Sequence, residues 1–190
     1  MAHIGLYFGS FNPIHTGHLI IAQHMLNEGP FEEIWFVVSP QNPFKNQQDL
    51  LPQKLRLDMV NAAIADNQGL RAIDIEFRLP LPSYTIQTLE HLQEKSTHQF
   101  SVVMGSDNLP RLHEWKDIAR LCELTDFHVY NRSGSKLECA VSNARIIPYT
   151  APMLDISATH IRSLLLQKKS IRYLVPDSAR SLLETYSITG

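Results

Sequence analysis

Only two cysteines, Cys122 and Cys139, occur in the 190 residues. That is too few for a disulfide framework, and both are read as reduced thiols. Neither sits in a ligand-spaced pair, which weighs against a zinc site. Long apolar runs are missing as well, and none approaches a membrane span. No signal-peptide pattern stands ahead of the first predicted strand, because Met1-Ala2-His3 leads directly into it. The expectation is a cytoplasmic protein with no membrane partner. Charge of one sign is not in excess either. A net charge of -2 gives no general attraction to nucleic acid or anionic lipid, so any phosphate binding must be local. Repeats and low-complexity segments are also lacking. What remains, 44% hydrophobic and 19% charged, has the composition of a globular protein and a length suited to one domain.

The most informative stretch runs from Gly5 to Leu19. Ile4, Leu6 and Phe8 recur at the period of a strand. Gly9-Ser10 follows, where backbone can approach another group closely, and then a turn containing Pro13. From about Thr16 the period becomes helical (Leu19, Ala22, Gln23, Leu26) and ends near Gly29. A strand therefore feeds a tight loop and a helix start, whose free N–H groups and positive pole attract phosphate. His15 and His18 stand at that place, able to donate hydrogen bonds to phosphate oxygens. A single histidine there would be read as a cap or packing residue. The pair, arranged His-x-Gly-His, favours a phosphate-handling site.

Further along, Glu33–Ser39 reads as a strand buried on both faces, followed by a loop carrying Pro40, Pro43 and Lys45. Lys45 alone would be a solvated loop residue, but it follows a strand's C-terminal end, where open α/β sheets bind ligands. Residues 49–66 form a predicted helix with Pro52 in its first turn and Leu55, Met59, Val60 and Ala63 on one face. Residues 72–79 alternate, predicting a strand near a sheet edge with Asp74, Glu76 and Arg78 on its wet face. Ser83 is a candidate N-cap for a helix bearing Ile86, Leu89 and Leu92. Phe100–Met104 is another buried strand, and Gly105 and Asp107 just beyond it suit contact with sugar hydroxyls. Residues 127–132 and 145–148 give two last strands joined by a polar connection. Ser157 then caps a helix with Ile161, Leu164 and Leu165 on its apolar face. That places free N–H groups, the hydroxyls of Ser157 and Thr159, and Arg162 at one helix start, able to hold β- and γ-phosphates.

These motifs resemble a known family. His15-Thr16-Gly17-His18 looks like the (H/T)xGH motif of the nucleotidyltransferase superfamily, and residues 9–19 resemble the GGTFDPIHxGHL of nicotinate-nucleotide adenylyltransferases. Phe8, Ser10 and Asn12 stand where that family usually has Gly, Thr and Asp. Residues 40–45 resemble its PxxxPHK segment, with Phe44 for His, and Ser83-Tyr84-Thr85 its SYT(V/I)xT segment, with Gln87 where Asp is common. Gly105-Ser106-Asp107 is similar to G(A/S)D. Residues 156–162 are similar to ISSTxIR, with Ala158 for the second Ser, and Tyr173–Pro176 to YLVP. The resemblance spans residue 4 to about 187. It lacks the KMSKS loop of the larger class I aminoacyl-tRNA synthetases.

The resemblance implies a three-layer α/β/α, Rossmann-like nucleotidyltransferase fold with a mostly parallel sheet. It implies one domain over 1–190, with a helical part from about 155 packed on it. The implied partners are ATP and nicotinate mononucleotide, with Mg²⁺ carried by ATP and no resident metal. The implied products are deamido-NAD and pyrophosphate. His15, His18, Lys45 and Arg162 would supply catalytic charge. Gly9, Ser10, Phe11, Gly105, Asp107, Arg132, Ile156, Ser157 and Thr159 would join the histidines and Arg162 around ATP. Ser10, Asn12, Lys45, Ser83, Tyr84, Thr85 and Trp115 would hold the mononucleotide, with amides near Thr85 facing its carboxylate and Trp115 stacked on its ring. Alternatives are a related adenylyltransferase acting on nicotinamide mononucleotide or phosphopantetheine, and a non-catalytic nucleotide-binding module. A homo-oligomer is left open.

Overall fold

Strand β1 (His3–Gly9) puts Ile4 and Leu6 on one side and Tyr7 on the other, so both faces of the central strand are covered. Strands β2 (Glu33–Val38) and β4 (Gln99–Gly105) flank it, each a nearly unbroken buried apolar run. Strands β3 (Leu70–Ile73), β5 (Phe127–Tyr130) and β6 (Ile146–Tyr149) complete a six-stranded sheet of order β3-β2-β1-β4-β5-β6, every pairing parallel. The computed structural model describes residues 1–40, 50–131, 137–152 and 154–189.

Helices cover both faces, as parallel crossovers require. Helices α1 (Thr16–Glu28), α2 (Gln53–Ile64), α5 (Ala158–Leu166) and α6 (Asp177–Thr189) bury Met25, Met59, Ile161 and Ala179 with Tyr7, Phe36 and Val103 of the sheet. On the other face α3 (Thr85–Lys95) and α4 (Ile118–Leu124) bury Leu89 and Leu121 against Ile4, Leu6, Phe100 and Phe127. Wholly buried side chains such as Ile4, Leu6 and Phe36 each contribute roughly 1.5–3 kcal/mol. The result is the predicted three-layer Rossmann-like fold. The winding reverses between β1 and β4, which opens a crevice beyond the C-terminal ends of those strands.

Three local expectations fail. The alternation over residues 72–79 does not continue as strand: β3 ends at Ile73, and Ile75–Phe77 forms a 3₁₀ turn with Phe77 N–H bonded to the Asp74 carbonyl. Glu76, expected on the wet face, is only 2% exposed. The hydroxyls of Ser83 and Thr88 donate to its two oxygens, each at 2.9 Å. These donors draw it inward, and a period-two pattern cannot register them. Ser83 is therefore not the cap of α3; Tyr84 holds that position and makes no side-chain cap bond. Pro52 likewise precedes α2 as its N-cap instead of lying in its first turn, and Asp49 lies outside the described residues.

Candidate active site

Gly9 ends β1 where backbone and the Phe11 ring meet closely: a Cβ there would lie 2.9 Å from Phe11 Cζ. Phe11 itself has φ 43, an uncommon left-handed conformation for a bulky residue. Its ring is held edge-on by Tyr7 and His18, with centroids 5.8 and 5.1 Å away, and lies 5.3 Å from that of Phe36. The chain then turns through Asn12-Pro13 into α1.

His15 is the N-cap of α1 in extended conformation, and its ring stacks on that of His18 at 3.6 Å. His15 N–H donates to His18 Nδ1 at 3.2 Å. That bond makes Nδ1 the acceptor, so a neutral His18 carries its proton on Nε2, as a donor to an anion. Gly17 keeps the turn clear, since a Cβ would come 3.1 Å from His15 Nδ1.

The loop is held from three directions. Arg162 Nη1 of α5 donates to the Asn12 carbonyl at 2.9 Å, and Leu51 N–H donates to Asn12 Oδ1 at 2.9 Å. Arg56 of α2, 1% exposed, donates to the carbonyls of Ser10, Ser39, Pro40 and Leu51. Burial lowers its pKa to about 10, and no carboxylate among the described residues pairs with it. Thr16 closes the third side, its N–H and hydroxyl bonded to the Leu174 carbonyl at 2.9 and 3.1 Å. At the start of α5, Ser157 Oγ accepts from His160 N–H at 3.2 Å, the cap expected from sequence.

A cavity of about 870 Å³ fills the crevice. Gly9, Ser10, Phe11, Asn12, His15 and His18 line its floor, and Ser157, Thr159 and Arg162 one wall. Gly105 and Asp107 sit beyond β4, Ser83, Tyr84 and Thr85 line the wall at the start of α3, and Trp115, just after the 3₁₀ segment Ser106–Glu114, lines it as well. Trp115 is half-buried against the core, edge to Phe127 at 6.4 Å, and also faces the cavity. Ile156 packs against the core instead of lining the cavity. Lys45 and Arg132 lie outside the described residues. Arg56 and Glu76 were missed by sequence reasoning. Each has partners distant in sequence, although an arginine in a helix stripe with Met59 and Val60 is a signal that could have been followed. Among the described residues no group of three or more His, Cys, Asp and Glu could hold a metal ion. Nor is any described helix long and apolar enough to cross a membrane.

The starts of α1 and α5, both facing one crevice at the sheet's switch point, fit a substrate with several phosphates, and the class so defined is the nucleotidyltransferases. A family described as cytidylyltransferase-like matches residues 6–164. A probable nicotinate-nucleotide adenylyltransferase of Cytophaga hutchinsonii is 48% identical over 181 residues, covering 95% of this chain and 94% of its own length. One from Flavobacterium johnsoniae is 46% identical, with 91% of each chain covered. The Plasmodium falciparum nicotinic acid mononucleotide adenylyltransferase, solved with NaAD, superposes with a TM-score of 0.83 at 20% identity, covering 99% and 97% of the two chains, which bears on the fold alone. The chain belongs to the nicotinate-nucleotide adenylyltransferases.

Proposed function

We propose that this enzyme transfers the adenylyl group of ATP to nicotinate mononucleotide, giving deamido-NAD and pyrophosphate, a step of NAD biosynthesis. A phosphate oxygen of the mononucleotide attacks the α-phosphorus of ATP in line. A new P–O bond forms as the bond to the β-phosphate oxygen breaks, and pyrophosphate leaves with that electron pair. No covalent enzyme intermediate is needed, so the protein's part is positioning and charge stabilisation. His18 Nε2–H faces the charge that develops at the α-phosphate, with His15 stacked behind it. The start of α5, with Ser157, Thr159 and Arg162, receives the departing pyrophosphate. Mg²⁺ would arrive with ATP as part of that substrate and would offset the negative charge of its phosphates. Lys45 is assigned to the mononucleotide phosphate and Arg132 to the adenine side by resemblance. The observation that carries this reading is the convergence of the α1, α3 and α5 starts on one cavity.

Release of pyrophosphate from ATP in the presence of nicotinate mononucleotide, nicotinamide mononucleotide or phosphopantetheine tests it. Amides at the start of α3 suit a carboxylate, whereas a carboxamide brings its own donors against them. The expected result is a preference for nicotinate mononucleotide of about 10²-fold or more in kcat/KM. Equal use of both pyridine nucleotides would mean dual specificity. No release with any of the three would leave a nucleotide-binding module.

A further inference from the structure

We propose that Glu76 is a positioning residue for the pyridine half of the site, acting through Ser83 and Thr88 on the start of α3. This rests on the reading that the start of α3 and Trp115 receive the pyridine ring and its carboxylate. Glu76 is buried, and it also lines the cavity beside Ser83, Tyr84 and Thr85. Ser83 Oγ donates to Oε2 and Thr88 Oγ1 to Oε1, both at 2.9 Å and both buried. Those two hydroxyls bracket residues 84–87, the N-cap and the first three residues of α3. The turn is thus fixed at both ends by one carboxylate that itself sits in a 3₁₀ turn off the sheet edge.

The chemistry explains why an acid occupies this place. Two hydroxyl donors converge there, and a carboxylate accepts from both whichever way it is rotated. Its two oxygens are satisfied by those donors beside the start of α3. Tyr84 brings no side-chain cap to the helix, so the first-turn amides are aimed by this bracket and remain available to a ligand. The residue serves binding geometry, and its charge is of the wrong sign to attract the substrate's own carboxylate. Positioning and charge therefore make opposite predictions.

The experiment measures kcat and both KM values for the wild type and for Glu76→Ala, Glu76→Gln and Thr88→Val, with the fold checked by circular dichroism. Glu76→Ala is expected to raise the KM for nicotinate mononucleotide by about 10- to 100-fold and to leave that for ATP unchanged. Glu76→Gln keeps one oxygen acceptor and should fall between wild type and alanine. Thr88→Val should show part of the same selective rise, and it decides the matter if the alanine variant does not fold. Equal rises in both KM values, or none, would overturn the assignment. So would a KM for nicotinate mononucleotide below wild type in Glu76→Gln, since charge alone would then be at work. Failure of the wild type to use nicotinate mononucleotide would instead overturn the reading of the site.

Discussion

His18 receives the His15 amide proton on Nδ1, and this one bond decides which nitrogen it can offer a phosphate. In the proposed mechanism an alanine there removes the donor that meets the developing charge. Turnover of His18→Ala, followed by pyrophosphate release, should fall about 10²–10³-fold with an unchanged circular dichroism spectrum. Arg162 holds the Asn12 carbonyl at 2.9 Å, and the proposed mechanism gives it a second task, facing the departing pyrophosphate. A lysine keeps the charge and loses the fork, so kcat should rank wild type, then lysine, then alanine, each drop exceeding the rise in KM for ATP. A rise in KM with kcat untouched would make Arg162 a uniform binder. Residues like these were legible beforehand because they sit inside local motifs. Glu76 was not: its hydroxyl partners lie 7 and 12 positions away, beyond any strand period.

Among the elements, the strand–loop–helix of β1 and α1 and the capped start of α5 followed from periodicity and capping alone. The seam between β2 and α2 did not, because what joins it is a guanidinium bonded to four backbone carbonyls. The Ser10, Ser39 and Pro40 carbonyls come from segments 46, 17 and 16 residues away from Arg56, so no local pattern could announce them. Arg56→Met keeps the helix and much of the volume but strands those carbonyls away from water. Urea denaturation should show a loss of roughly 2–4 kcal/mol, larger than for Lys54→Met on the exposed face of α2, where the ion pair with Asp58 contributes under about 1 kcal/mol.

The molecule as a whole has an acid weakness under its sheet. His128 is 2% exposed on β5, its Nδ1 2.9 Å from the Tyr149 hydroxyl. Burial, and then the nearby charges of His3 and Arg145, push its pKa down to about 4, Asp126 opposing them. The unfolded chain takes up this proton near 6.5 and the folded protein only near 4. Stability is thus full above about pH 6.5 and drains as pH falls towards 4, by up to about 3 kcal/mol. Thermal melts between pH 7 and 4.5 should show the decline, and His128→Phe should flatten it. Another whole-molecule property lies in how the first loop is latched. Asn12 is held by Arg162, and Thr16 by the backbone of Tyr173 and Leu174, so the loop written first in the sequence is completed by residues written last. On a ribosome adding about 5–20 residues per second, β1 and α1 emerge well before their keepers. The sheet, complete at Tyr149, can thus form before the residues that hold the first loop are made, and on the proposed mechanism turnover waits for α5 and the segment carrying Tyr173 and Leu174 to dock.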